Sequence, residues 1–209
     1  MEIKKIEIDI AFLQAPTAQL SNYHKTKQNS DEWLDLRKFK VTGSRIPALL
    51  GIYGKKKFTS YWQIVKDGKN EKDISYIPNI QRGHKYEKEA VAYFENMSKA
   101  ETSECGFYSH SSRNRFGASP DALGPAGILI EIKTRAQNCE GPLESLDKFP
   151  NYFTQCQLQM SCTDSHACLL VSYHPESKTG NFFAVKRNDQ LVYDGFLRKY
   201  YKRKTLYFG

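Results

Sequence analysis

Branched apolar residues run through Ile128-Leu129-Ile130-Glu131-Ile132-Lys133-Thr134, a pattern that predicts a core β-strand with two charges at alternate positions. Both charges then point to one face of the strand. Gly124, Pro125 and Gly127 predict a turn just before it, so Asp121 ends the preceding strand and lies beside Glu131. Further strands are expected at about 104–110, 114–119, 167–173 and 181–187. Helical spacing predicts a helix over Gly83–Ser98, where Glu87 shares a face with Val91 and Phe94, and another over Pro150–Cys162, where Tyr152, Gln155 and Leu158 share one. Asn29 or Ser30 caps an earlier helix with Asp31 and Glu32 in its first turn and Trp33 and Leu36 buried. A short helix is expected from Thr42-Gly43-Ser44 to Gly51 with Pro47 in its first turn, then one over Thr59–Lys66 stopped by Gly68. Residues 1–29 alternate weakly at Ile3, Ile6, Ile8 and Ile10, giving an edge strand and a loop, and a last helix starts near Asp189. The order is that of an α/β (α+β) protein with a central mixed β-sheet flanked by helices.

Charges inside an apolar strand are costly unless they pair or hold a cation. Glu131 and Lys133 alone could form an ordinary ion pair. With Asp121 alongside, two carboxylates and a lysine also suit a hard divalent cation, with the lysine positioning or polarising a water. Glu87, an acid on the buried stripe of its helix, needs a partner of either kind. Thr42, Gly43 and Ser44, with Arg37 and Arg45 near, read either as a plain helix cap or as a phosphate cradle. Lys55, Lys56 and Lys57 are expected on a loop, and Gly51 and Gly54 lack the spacing of a nucleotide-binding loop. Gln155 is suited to orienting a water or a phosphate oxygen.

The chain has 209 residues, of which 40% are hydrophobic and 13% aromatic, enough for one well-cored domain with no need of a second. Lysine and arginine number 31 against 23 acids, a net +8 that favours a polyanionic partner. The basic, aromatic run Arg198–Lys204 reads equally as a helix end or a DNA contact. Five cysteines, at 105, 139, 156, 162 and 168, show no paired spacing and read as reduced, mostly buried thiols. There is no signal-peptide core and no apolar run of membrane-spanning length, so an intracellular protein without a membrane partner is expected.

Pro120-Asp121, a gap, and Glu131-Ile132-Lys133 match the signature of the PD-(D/E)xK nucleases. Ser30-Asp31-Glu32-Trp33 with Leu36-Arg37, Val41-Thr42-Gly43-Ser44-Arg45, Arg82-Gly83-His84 with Glu87, Gly117-Ala118-Ser119-Pro120-Asp121, and Tyr152 with Gln155 and Gln157 follow in order. In these blocks, from about Ser30 to Tyr173, the chain resembles the YqaJ-like viral recombinase nucleases, relatives of phage lambda exonuclease. The resemblance implies a restriction-endonuclease-like core over 30–173, with 1–29 as an N-terminal extension and 174–209 as a C-terminal strand and basic helix of a single nuclease domain.

It further implies a Mg²⁺-dependent enzyme, with Mn²⁺ as a substitute, that degrades one strand of linear double-stranded DNA from its 5′ end in recombination. Asp121, Glu131, the Ile132 carbonyl and Glu87 are the implied metal ligands, and Lys133 with Gln155 the groups acting on the attacking water. Two such metals stabilise both the attacking and the leaving oxygen. Arg37, Thr42, Ser44, Arg45, Ser119 and Gln157 are the implied contacts to DNA or its 5′-phosphate. No iron–sulfur cluster is expected, because the clustered C-terminal cysteines of some related nucleases are missing. A homotrimer and a single-strand annealing partner are implied, in the cytoplasm of a bacterial or phage-infected cell or in a nucleus if the source is eukaryotic or viral. A structure-selective endonuclease, or a DNA-end-binding recombination protein without significant nuclease activity, are the alternatives.

Overall fold

The structure, a computed structural model, describes residues 22–69 and 76–192 together with 195, 198 and 202. The strand expected around Ile3–Ile10 lies outside the described residues. So does most of the basic run, of which Arg198 and Lys202 are exposed.

The described residues form two mixed sheets with helices packed on them, as the α/β reading requires, although a single central sheet was expected. The larger sheet is built from β3 (Ser103–Glu104), β6 (Ala122–Leu123), β7 (Leu129–Thr134), β8 (Ala167–His174) and β9 (Thr179–Lys186), in that spatial order. Only the β7–β8 pair is parallel; the others are antiparallel. The smaller sheet orders β1 (Tyr23–His24), β4 (Phe107–Ser109), β5 (Phe116–Ala118) and β2 (Val41–Thr42), with β2 parallel to β5. The segment expected to be one strand over 104–110 is therefore divided between the two sheets. Gly106 stands at the break, where an added Cβ would lie 2.2 Å from the His24 carbonyl, so the close approach of β1 requires glycine there.

β7 is buried from both sides. Ile130 and Ile132 pack with Ala90 and Phe94 of α4 (Pro78–Ser98), while Leu129 packs with Phe153, Cys156 and Met160 of α5 (Pro150–Thr163). Strand alternation thus turns Glu131 and Lys133 toward the α5 side. Leu129 and Ile130 are both fully buried, each contributing roughly 1.5–3 kcal/mol, and this packing fixes the register that carries the charges.

Two more helices, α2 (Ile46–Leu49) and α3 (Gly54–Asp67), supply the second core, in which Phe58, Trp62, Leu49 and Leu158 meet β4 and β5. α1 (Asp31–Arg37) is capped by Ser30 as expected, and Trp33 is buried. α2 spans only Ile46–Leu49. The expected helix start at Thr42 is instead the end of β2, held by its parallel pairing with β5. α3 runs Gly54–Asp67 and stops at Gly68, so Lys55, Lys56 and Lys57 sit in its first turn rather than on a loop. After β9 the chain turns helical at Asp189, where the Asn188 side chain accepts from the Leu191 amide at 2.9 Å. No helix among the described residues is long and apolar enough to cross a membrane.

Candidate active site

Asp121 stands between β5 and β6, at the start of the second strand rather than the end of the first. The β6–β7 register pairs Ala122 with Ile130, so one step back along β6 brings Asp121 alongside Glu131. Its Oδ2 accepts from the Ile132 amide at 2.6 Å, which ties the acid to β7 itself. Glu131, 1% exposed, accepts from Lys133 Nζ and Gln155 Nε2 at one oxygen and from Gln159 Nε2 at the other, the last at 2.7 Å. Every donor to Glu131 therefore comes from β7 or from one face of α5.

Gln155 and Gln159 are four residues apart, so they stack on one face of α5. That face lies against Gly43: a Cβ there would come within 3.2 Å of Gln159 Cγ and 3.3 Å of Gln155 Cγ. Gln157, expected as a DNA contact, points away from this face because two residues turn a helix by more than half a circle. It is fully buried, donates to the Lys186 carbonyl at 2.7 Å and accepts from the Asn188 amide at 2.9 Å, so it fastens α5 to the end of β9.

Glu87 reaches the cleft from α4, next to Ile80, Gly83, His84 and Lys88. Burial first, then the nearby Glu131 charge, holds its carboxyl above the ordinary range. Asp121 is pushed well above its range by the same two causes in the same order, with Glu87 adding repulsion and Lys133 opposing it. Burial alone would lower the Lys133 pKa, but Glu131 and Asp121 outweigh it and keep the ammonium protonated well into the alkaline range. Lys133 thus lies among three carboxylates.

The opposite wall of this cleft, of about 440 Å³, is formed by Gln28, Asn29, Trp33, Arg37, Gly43, Ser44 and Ser119. Trp33 Nε1 donates to Ser119 Oγ at 2.7 Å, and the Arg37 guanidinium lies over the Trp33 ring at 4.1 Å. Arg37 Nη2 in turn donates to Ser44 Oγ at 3.2 Å. Arg37, Ser44 and Ser119 are therefore gathered on this wall; Thr42 reaches it through its hydroxyl, 3.3 Å from Ser44 Oγ, and Arg45 does not line it. Thr42 is buried in β2, and Arg45 is 2% exposed with Nη1 donating to the Arg37 and Lys40 carbonyls at 2.9 Å, so it braces the loop that carries Arg37. With α2 only four residues long and starting after Ser44, no helix begins at Thr42 to form the expected helix-terminus cradle.

Gln159 and Gln28 line the cleft without having been singled out from the sequence, as do Asn29, expected only as a helix cap, and His84, named only as part of a motif. Gln159 carried a readable signal, its four-residue spacing from Gln155. Gln28 did not: it is placed by donating to the Pro120 carbonyl at 2.9 Å, a contact across 92 residues.

Among the described residues no three His, Cys, Asp or Glu side chains converge on one ion position. The donor set nevertheless fits a hard divalent cation: Glu87, Asp121 and Glu131 are all oxygen donors, and, after burial, the Glu131 charge raises the proton affinity of both Asp121 and Glu87. Gln159 Oε1 is also buried here without a hydrogen-bond partner. All five cysteines are free thiols and none lines the cleft.

The model of the YqaJ-like viral recombinase domain family matches residues 32–166. Among solved structures, an alkaline exonuclease from Laribacter hongkongensis, LHK-Exo, is 27% identical with a TM-score of 0.67, over 86% of this chain and 100% of that one. LHK-Exo in complex with dAMP is similar at 26% identity and a TM-score of 0.67, over 85% of this chain and 95% of that one. A phage-related exonuclease from Haemophilus somnus 129PT shares the fold at 13% identity and a TM-score of 0.62, over 80% and 92% of the two chains. A search of curated proteins gave no match.

Proposed function

Because the chain belongs to the YqaJ-like viral recombinase domain family, we propose that it is a divalent-metal-dependent exonuclease that hydrolyses one strand of linear duplex DNA from a 5′ end. The observation that supports this best is the convergence in one cleft of Asp121, Glu131, Lys133 and Glu87 on one side with Arg37, Ser44 and Ser119 on the other. The first set suits phosphodiester hydrolysis; the second suits an end phosphate. A hydrolytic nuclease of the DNA-recombination class is what the similar alkaline exonucleases also support.

Asp121, Glu131, Glu87 and the Ile132 carbonyl would hold the metal, magnesium or manganese, which supplies Lewis-acid stabilisation of the negative charge gathering on the phosphate. Lys133, kept protonated by its acidic neighbours, donates a hydrogen bond that orients the attacking water. Gln155 and Gln159 fix the two Glu131 oxygens, so that the carboxylate cannot rotate when the substrate arrives. Arg37, Ser44 and Ser119 bind the terminal phosphate, and Trp33 holds two of the three in place. An end phosphate carries more charge than an internal diester, so this wall selects an end over the middle of a strand. Assembly as a ring of identical subunits and cooperation with an annealing protein belong to the same reading.

The test is digestion of linear duplex labelled at either the 5′ or the 3′ end, with magnesium and with a chelator, beside a closed circular plasmid. Release of the 5′ label as mononucleotide, dependent on metal, is expected, with the circle untouched. Cutting of the circle would replace the reading by an endonuclease of the same fold.

A further inference from the structure

The two walls of the cleft differ in build. Arg37, Ser44 and Ser119 belong to one of them, while the other is a single helix, α4, which lines it with Ile80, Gly83, His84, Glu87 and Lys88. His84 and Lys88 are four residues apart, so they follow one another along the helix, and both are exposed. Their charges are spent differently. His84, like Lys133, acts on the Glu87 carboxyl and lowers its pKa against burial and the Glu131 charge, so it belongs with the acid cluster. Lys88 is not among the charges that bear on Glu87.

The acids on either side of Lys88 in the sequence are both engaged elsewhere. Glu87 feels the Glu131 charge across the cleft, and Glu89 accepts from the Tyr173 hydroxyl at 2.6 Å. With the described residues Lys88 forms no hydrogen bond, ion pair or ring contact. Lys85, on the same helix, is already placed: its ammonium lies 4.8 Å from the centroid of the Tyr86 ring, and it does not line the cleft. Lys88 thus brings an uncommitted positive charge to the wall that faces Arg37.

In an enzyme that removes one nucleotide at a time, the end phosphate and the attacked phosphate are neighbours. With the end on the Arg37 wall and the attacked group over Asp121 and Glu131, the rest of the strand leaves on the α4 side. The next phosphate along it is a diester with a single charge. Such a group suits lysine, a point charge on a flexible stem, where an end dianion suits the planar fork of Arg37.

We propose that Lys88 grips the backbone phosphate on the 3′ side of the scissile bond, the first phosphate of the strand that stays in the duplex. The inference rests on the exonuclease reading, which sets the direction of the strand through the cleft. It adds a second backbone contact, apart from the end-phosphate wall. A phosphate contact carries no base information, so no sequence preference is expected from it.

The test uses the full chain in chelator, so that no cleavage intervenes, with fluorescence anisotropy of a labelled hairpin duplex bearing one 5′-phosphorylated end. Lys88→Ala should weaken binding about tenfold at low salt and lower the slope of log affinity against log salt by about 1, as loss of one phosphate contact requires. Lys88→Gln should repeat this result, and Lys88→Arg should keep the wild-type slope. Lys85→Ala, equally exposed but off the cleft, is the control and should leave the slope unchanged. In magnesium, Lys88→Ala should raise KM more than it lowers kcat, with the wild-type preference for phosphorylated over hydroxyl ends intact. Unchanged melting temperatures will show that the variants fold.

An unchanged slope in Lys88→Ala would overturn the contact, as would an equal drop in Lys85→Ala, which would make the effect one of overall charge. Loss of the end preference would overturn the 3′ placement by moving Lys88 to the end phosphate. Wild-type digestion of the same duplex separates the two ideas: digestion with an unchanged Lys88→Ala slope removes the contact alone. A changed slope without digestion removes the exonuclease reading and, with it, the placement beside a scissile bond.

Discussion

The Ile132 amide donates to Asp121 Oδ2 across 2.6 Å, so the strand carrying Glu131 and Lys133 is hydrogen-bonded directly to the neighbouring acid. In an extended strand the N–H and C=O of one residue leave by the same edge. The Ile132 carbonyl therefore faces the Asp121 side, where it would serve the proposed metal as a fourth oxygen donor. A single backbone position thus fixes one acid and offers a further ligand.

Asp121→Asn keeps an acceptor for the Ile132 amide but removes a charge from the donor set, so it should fold normally and lose cleavage almost completely. Glu131→Gln should also lose cleavage, but it leaves one side-chain oxygen for donors now spread over two and takes the carboxylate from the Lys133 ammonium, so a loss of stability is expected with it. Glu87→Gln, farther along the cleft on α4, should lose less. Turnover in magnesium near that of wild type for either of the first two would remove these residues from the reaction.

The same charges set a pH dependence. Asp121 and Glu87 have carboxyl pKa values raised above the ordinary 3.8 and 4.5, first by burial and then by their acidic neighbours. A raised acid binds its proton more tightly in the folded chain than in the unfolded one, so its contribution to stability falls as pH climbs from the ordinary value through the folded one. Below that window there is no penalty; above it the penalty is complete. In chelator, Asp121→Asn should therefore gain melting temperature relative to wild type as pH rises from about 4 toward neutrality. Adding a divalent cation at neutral pH should raise the wild-type melting temperature more than that of the variant. A difference that stayed flat with pH would show that Asp121 is not strained by its surroundings.

Lys133 bears on both chemistry and fold. Lys133→Ala should lower kcat by about 10²–10⁴ with DNA affinity retained, since the ammonium acts on the attacking water. It also removes the ammonium paired with a carboxylate that is 2% exposed. Breaking a buried pair in this way costs about 3–5 kcal/mol, and the two remaining glutamine donors place the expected loss at the lower end of that range. Denaturant unfolding in chelator measures the loss, and a divalent cation should recover part of it. Loss of DNA binding in proportion to kcat would make Lys133 a phosphate contact instead.

How far the sequence carried this site depends on the range of the contacts involved. Asp121, Glu131 and Lys133 sit on neighbouring strands joined by a short turn, so two-residue periodicity and turn chemistry place them together. Glu87 and Gln155 follow from helical periodicity. Gln157 was implied as a DNA contact by the family resemblance, while Gln159 holds the place beside Gln155 that helical geometry requires. Thr42-Gly43-Ser44 has the composition of a helix cap, but β2 pairs with β5, more than 70 residues away, and nothing local records that pairing. Arg45 looked like a phosphate ligand for the same reason; its guanidinium is turned inward onto two carbonyls of the preceding loop. The 104–110 segment was continuous in its alternation, and only the approach of β1 to Gly106 divides it.

Discrimination between phosphorylated and hydroxyl 5′ ends is where the corrected wall matters most. Without a helix N-terminus, selectivity falls to Arg37, whose planar fork of donors matches phosphate oxygens, and to the hydroxyls of Ser44 and Ser119. Arg37 already touches Ser44 and rests on the Trp33 ring, so little side-chain freedom is lost when a phosphate binds. A charge-assisted contact contributes about 1.5–3 kcal/mol, so Arg37→Ala should slow digestion of phosphorylated ends by roughly one to two powers of ten. Hydroxyl ends, which offer no terminal dianion, should be cut nearly as before. Arg37→Lys should recover only part of the preference, because a point charge lacks the paired geometry. Paired kinetics on 5′-phosphoryl and 5′-hydroxyl duplexes decide the matter: equal losses on both, or no preference in the wild type, would make Arg37 part of the fold or of a general backbone grip.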